Sequence, residues 1–163
     1  MKSHTLSVLV ENRAGVLSRV AGMFSRRGFN IESLAVGTCE EPDMSRITIV
    51  VKGDGSVVEQ VMKQTNKLID VIKVSDLTER ESVERELALI KVAAEPGTSR
   101  AEILQIADIF RAQVVDVGAK TLVLQVAGDT EKIDALEKLL RQYGIKELVR
   151  TGKIAILRGA KTV

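Results

Sequence analysis

The chain has 163 residues, is 45% hydrophobic but only 2% aromatic, and carries a net charge of +2 from 24 basic and 22 acidic residues. It holds one histidine, one cysteine and no tryptophan, so neither a four-ligand zinc site nor an internal disulfide can form. The balanced charge and scarce aromatic rings argue against nucleic-acid binding, and the lone histidine, His4, argues against a catalytic triad because it lies so near the start.

Hydrophobic periodicity predicts six elements in the first half of the chain, in the order β-α-β-β-α-β. They are strands at 5–10, 29–38, 45–52 and 71–75 and helices at 15–27 and 57–68. The first helix is the clearest, because an apolar residue recurs every three or four positions and Gly28 follows as a stop signal. Arg26 and Arg27 lie at its end, where their positive charges interact favourably with the helix dipole. The alternative is that they face a partner.

A charge-dense run at 78–85 is predicted to link this half to a second one, in which the same order of elements recurs. We expect Ser99 and Glu102 to form a capping box on one helix and Thr130 to cap the other. The predicted elements are strands at 86–94, 113–117, 121–127 and 145–150, helices at 99–110 and 130–143, and a further candidate strand at 153–157. The order predicts an α+β fold of two ferredoxin-like βαββαβ domains in tandem, residues 1–77 and 86–163.

A ferredoxin-like domain of about 70 residues packs its helices on one face of its sheet and leaves the other face open. The strands of this chain are apolar on both faces, as the run from Ile47 to Val51 shows. An open apolar face favours association, so we expect a homodimer.

The most informative stretch is the turn into the first helix, ENRAGVLSR at residues 11–19. Gly15 can adopt a positive φ or let a ligand approach the backbone. The N–H groups of Gly15, Val16 and Leu17 would then point out of a helix N-terminus, where a carboxylate or phosphate can bind. The alternative is a simple Asn/Gly turn with Asn12 at the strand end.

A second stretch, Gly28 to Glu32, follows the first helix. Asn30 tolerates a helix C-cap, but its amide can also bond both an ammonium and a carboxylate group. Together with Asn12 and the aliphatic side chains of Val16, Leu17 and Ile31, it suits a small zwitterion with an apolar side chain. The set suits catalysis poorly, because it offers no general base or nucleophile.

The run ENRAGVLSRVAGMFSRRGFNIESLAVG at residues 11–37 closely resembles the regulatory (small) subunits of acetohydroxyacid synthase, also called acetolactate synthase. The resemblance continues through SRITIVVKG, VERELALIKV (83–92) and IADIFRAQVVDVG (106–118), so it covers essentially the whole chain. It implies that residues 1–77 form an ACT domain, which senses amino acids and dimerises, and that 86–163 form the family's C-terminal regulatory domain.

The resemblance also implies a site. In the family a branched-chain amino acid, most often valine, binds between the loop before the first helix of one ACT domain and the start of the second strand of its partner. Carried onto this chain, the effector-binding residues are Asn12, Gly15, Val16, Leu17 and Ser18 from the loop, and Asn30 and Ile31 from the partner.

The function that the resemblance implies is regulatory. Such a subunit has no activity of its own; it binds the catalytic large subunit, raises its activity and confers feedback inhibition by valine in branched-chain amino-acid biosynthesis. Thiamine diphosphate, FAD and magnesium would belong to that partner, which joins two 2-oxo acids with decarboxylation. The chain itself is expected to carry no cofactor or metal.

Two other functions stay open from the residues alone. An ACT-type, ligand-responsive transcriptional regulator would need a basic helix or arm, and none is visible. A small acyl-phosphate hydrolase would need an arginine and an asparagine at an anion-binding loop, for which Arg13 beside Asn12 is the candidate. The start of the chain shows neither a signal peptide nor a membrane span, so we expect a cytoplasmic protein without membrane or nucleic-acid partners.

Overall fold

The computed structural model describes residues 2–163 and divides into two compact units. The first unit comprises the chain up to Glu84 together with Lys153–Val163, and the second comprises Arg85–Gly152. The C-terminal eleven residues thus belong with the first unit, whereas the sequence assigned them to the second domain, 86–163.

The first unit contains the six predicted elements in the predicted order, which confirms its fold class. They are β1 (Lys2–Glu11), α1 (Val16–Arg26), β2 (Ile31–Thr38), β3 (Met44–Gly53), α2 (Gly55–Asn66) and β4 (Val71–Asp76). The four strands form an antiparallel sheet in the order β2-β3-β1-β4. Asp54 caps α2, because its Oδ1 accepts bonds from the N–H groups of Ser56 and Val57, each at 3.0 Å.

One face of this sheet packs on the two helices and forms the core of the unit. Alternate residues of β1, including Leu6 and Val8, are fully buried there, as the two-residue period of a strand requires. From α1 the core receives Val20 and Phe24, whose ring meets that of Phe29 edge to face at 6.2 Å.

The opposite face of the sheet is also covered. Its small side chains are buried; Ser7 and Thr48, for example, are only 2% and 4% exposed. The segment Lys153–Val163 bonds to this face: the Lys153 N–H donates to Ser33 Oγ at 3.0 Å, and the Arg46 guanidinium donates to the backbone oxygen of Val163 at 2.9 Å. An open second face, the physical reason for expecting a homodimer, is therefore not a property of the first unit.

The second half of the chain repeats the fold. Its elements are β5 (Ser82–Ala93), α3 (Thr98–Ile109), β6 (Gln113–Val117), β7 (Thr121–Gly128), α4 (Thr130–Leu140) with a 3-10 turn at Arg141–Tyr143, β8 (Ile145–Arg150) and β9 (Ile154–Leu157). The sheet order is β6-β7-β5-β8. β9 lies in the C-terminal segment of the first unit and pairs with β5, whose first three residues, Ser82–Glu84, also belong to that unit. The predicted linker at 78–85 is a turn followed by the start of β5.

The start of α3 differs from the predicted capping box. Its N-cap is Gly97, at φ 113°, and within the described chain no side chain caps the helix. The Glu102 carboxylate instead accepts a bond from the Tyr143 hydroxyl at 2.8 Å. Ser99 therefore lies inside the helix rather than at its cap.

The start of α4 differs as well. Asp129, not Thr130, is the N-cap, and its Oδ1 accepts a bond from the Lys132 N–H at 2.9 Å. Both residue types cap helices well, so the backbone conformation decides between two adjacent candidates.

The second sheet packs its helices against one face through a closed apolar core that includes Ile90 and Leu124. Its other face carries larger apolar side chains than the first sheet does, and Leu89 and Val149 there are 41% and 56% exposed. None of the helices described in residues 2–163 is long and apolar enough to cross a bilayer.

Candidate functional site

The loop from β1 into α1 has the backbone geometry that the sequence predicts. Gly15 is the N-cap of α1 at φ 83° and ψ −8°, a left-handed conformation that favours glycine. No side chain among residues 2–163 caps the helix. The N–H groups of Leu17 and Ser18 have no acceptor in the described chain, so they remain free to bind an anion.

Val16 plays a different part from the one predicted. Its side chain is 3% exposed and lies in the core, so it does not form a wall of an open site. Its N–H donates to the Arg13 carbonyl at 3.3 Å and closes the turn. Leu17, by contrast, is 43% exposed beside the free N–H groups, and Ser18 is exposed as well.

Two arginines and a buried aspartate surround this helix start. Arg19 Nε donates to Asp70 Oδ2 at 2.6 Å, and Arg13 Nη2 lies 3.4 Å from Asp70 Oδ1 and also pairs with Glu11. The side chain of Asp70 is only 5% exposed, and its backbone oxygen accepts a bond from the Glu11 N–H at 2.9 Å. A Cβ at Gly15 would lie 3.0 Å from Arg19 Nη1, so this guanidinium stands directly over the glycine.

The electrostatics of the loop follow from that arrangement. The N-terminus of a helix carries a partial positive charge, and the half-exposed Arg19 adds a full one beside it. Asp70 holds the guanidinium in place and offsets only part of the charge. The site can therefore receive a carboxylate through two backbone N–H groups and one arginine.

Sequence reasoning missed Asp70 and Arg19. Their ion pair joins residues 51 positions apart, and no local pattern links them. The same pairing bears on the hydrolase alternative, because the Arg13 guanidinium is occupied by carboxylates rather than presented to a phosphate.

Asn12 lies at the exposed mouth of the loop. Its N–H donates to the Asp43 carbonyl at 2.8 Å, which ties the loop to the turn between β2 and β3. Its side chain makes no hydrogen bond to another part of the described chain and is available to a ligand.

Asn30 and Ile31 lie beyond the far end of α1. Arg27 is the C-cap of the helix and Gly28 follows it in the left-handed conformation at φ 70°, so Asn30 does not cap the helix. Asn30 is exposed, and Ile31 is half-buried at the start of β2. The eleven residues of α1 span about 16 Å, so within one chain Gly15 and Asn30 are too far apart to contact the same small amino acid.

The described residues contain no group of three or more His, Cys, Asp or Glu side chains that could hold a metal ion. Cys39 is a free, partly buried thiol. The chemistry that the loop offers is therefore anion recognition through backbone N–H groups and guanidinium.

Comparisons with known proteins cover both halves of the chain. Residues 85–159 match the family of the small subunit of acetolactate synthase, and residues 6–73 match the ACT domain described as AHAS small subunit-like. The chain is 61% identical over 158 residues to the probable acetolactate synthase small subunit of Archaeoglobus fulgidus, covering 97% of this chain and 98% of that protein. It is 52% identical to the acetolactate synthase small subunit of Mycolicibacterium smegmatis, covering 99% and 94%.

The structural comparison agrees. The crystal structure of the acetolactate synthase small subunit from Thermotoga maritima superposes with a TM-score of 0.89 at 40% identity, covering 99% of this chain and all of that one. The match extends over both βαββαβ units.

Proposed function

The chain belongs to the family of acetolactate synthase small subunits, and on that premise we propose that it binds the catalytic large subunit, activates it and confers feedback inhibition by valine. It would act in the cytoplasm, in branched-chain amino-acid biosynthesis. Thiamine diphosphate, FAD and magnesium would be held by the catalytic partner. The small chain would supply regulation without a reaction of its own.

The observation that carries the effector proposal is the uncapped start of α1. A valine carboxylate would accept bonds from the N–H groups of Leu17 and Ser18, with the Arg19 guanidinium beside it. The exposed Leu17 side chain would contact the isopropyl group. This revises the expected N–H donors, because Val16 uses its own N–H in the turn.

The other half of the site would come from a second copy of the chain. The length of α1 separates the loop from Asn30 and Ile31, so one chain alone cannot surround valine. In an ACT-domain homodimer, Asn30 of the partner would accept a bond from the ammonium group, and Ile31 of the partner would close the apolar side. Asn12 would complete the polar rim.

A ligand shared by two chains acts on their relative placement, because it binds only where both halves of its site meet. If the catalytic subunit prefers the dimer without valine, the two binding events are coupled. Such couplings are typically about 1–3 kcal/mol, a change of about 5- to 150-fold in affinity. This range is enough for feedback control.

Calorimetry with valine tests the effector site. Gly15→Asp places a carboxylate where the ligand's carboxylate would bind, so we expect valine affinity to fall at least tenfold. Gly159→Asp is the matched control, because Gly159 also has a positive φ, 72°, and has no atom within 4 Å of an added Cβ. Wild-type affinity in Gly15→Asp would refute the pose.

Copurification with an untagged catalytic subunit, followed by an acetolactate assay with and without valine, tests the function itself. We expect complex formation, higher activity and inhibition by valine. A chain that forms no complex with the catalytic subunit but shifts DNA at physiological salt would instead be a transcriptional regulator.

A further inference from the structure

A groove in the first unit lies away from the start of α1. It runs between the C-terminal ends of the two helices and has a volume of about 450 Å³. Its lining residues come from both helices and the turn after α2: Met23, Arg26, Arg27, Gln64, Lys67 and Leu68. The rim is basic and the floor is apolar.

Three cations on this rim have no acidic partner in residues 2–163. Arg26, Arg27 and Lys67 are all exposed, and none takes part in an ion pair within the described chain. Other basic residues of the unit, such as Arg19 and Arg46, are paired with carboxylates. The positive charge of the groove is therefore not neutralised by the chain itself.

Helix dipoles explain part of this pattern. α1 ends at Arg26 and α2 at Asn66, and a cation near a helix C-terminus is favourable. The dipole does not explain why the cations of both helices border one groove floored by Met23 and Leu68. That combination suits an occupant that brings carboxylates to the rim and an apolar side chain to the floor.

We propose that this groove docks an acidic segment of the catalytic subunit, with an apolar side chain on Met23 and Leu68 and carboxylates on Arg26, Arg27 and Lys67. This inference rests on the proposed function and names the surface that binds its partner. A protein segment fits better than a small ligand, because small-ligand sites bury most of the ligand whereas these three cations are exposed around the rim.

Charge complementarity of this kind acts mainly on the rate of association and on its dependence on salt. Binding of the catalytic subunit should therefore weaken as ionic strength rises. The part of that salt dependence that comes from the groove should disappear when glutamate replaces the basic residues of its rim.

The test measures binding of the purified catalytic subunit to the full chain. In the double variant Arg27→Glu/Lys67→Glu we expect affinity to fall at least tenfold and the salt dependence to flatten. The control is Arg80→Glu/Lys138→Glu, which makes the same charge change at exposed positions and also alters the last turn of a helix. We expect its affinity to stay within about twofold of wild type.

A milder variant covers the case in which charge reversal disturbs the helix ends. Gln64→Glu places one negative charge among the three cations with almost no change of shape. We expect it to weaken docking about threefold without lowering the thermal unfolding temperature.

The outcomes separate the two proposals. If the wild-type chain does not bind the catalytic subunit, the proposed function fails. If it binds and the groove variants bind equally well, or the control loses as much affinity, the docking surface is wrong. Loss of self-association in the double variant, seen by sedimentation without the catalytic subunit, would assign the groove to a second copy and also overturn the proposal.

Discussion

Replacing Asp70 with asparagine should destabilise the first unit, because it removes the buried carboxylate that pairs with Arg19 and Arg13. The side chain keeps nearly the same size, so packing is little changed. The Asp70 side chain is 5% exposed and accepts a 2.6 Å bond from Arg19, while Arg13 lies 3.4 Å away. Removing one partner of a fully buried pair costs about 3–5 kcal/mol. Here the guanidiniums are 49% and 64% exposed and can regain water, so the loss should resemble that of a charge-assisted hydrogen bond, about 2 kcal/mol.

Urea unfolding followed by far-ultraviolet circular dichroism measures this loss. With a slope of about 1–3 kcal/mol per molar urea, the midpoint of Asp70→Asn should fall by about 0.7–2 M. Glu59→Gln is the matched control, since it removes a carboxylate from a 2.7 Å pair with Lys63 in which both side chains are about two-thirds exposed. Its midpoint should not shift measurably. Equal midpoints for the two variants would refute the reasoning that burial is what makes the Asp70 pair contribute more to the free energy of unfolding than an exposed pair does.

Two further predictions concern the second unit. Asp129→Ala should lower the free energy of unfolding by about 1 kcal/mol, since it removes the bond to the Lys132 N–H. Thr130→Ala should have little effect. Equal urea midpoints for these two variants would contradict the observed cap. Tyr143 is the only tyrosine and there is no tryptophan, so ultraviolet absorbance reports its titration directly. Its bond to Glu102 holds the pKa of the phenol above the ordinary value of 10.0. Glu102→Gln should therefore lower that pKa. An unchanged titration midpoint would show that the bond to Glu102 is not the cause of the raised pKa.

The order and type of the elements could be predicted from the sequence because hydrophobic periodicity is a local signal that survives in every packed helix and strand. Helix caps were less predictable. The motif Ser99-x-x-Glu102 fits the capping-box pattern, yet the N-cap of α3 is Gly97 and Glu102 bonds to a residue 41 positions away. A local pattern cannot show that a distant hydroxyl competes for the same carboxylate.

The loop at the start of α1 was predictable in its backbone, since only glycine readily takes the left-handed conformation found at Gly15. The charges around it were not, because the pair of Arg19 and Asp70 depends on the tertiary fold. The predicted apolar stripe of α1 contains both Val16 and Leu17, and periodicity alone does not show that Val16 faces the core while Leu17 stays 43% exposed. The roles of Asn12, Ser18 and the other site residues in binding valine stay predictions.

The pairing of Lys153–Val163 with the first unit has a consequence for synthesis of the chain. The 68 residues of Arg85–Gly152 are translated between the two parts of that unit. At about 5–20 residues per second, roughly 3–14 s pass before the segment that covers the second face of the first sheet follows that sheet out of the ribosome. During that interval a chaperone, or another nascent copy, has access to a sheet surface that the finished protein conceals.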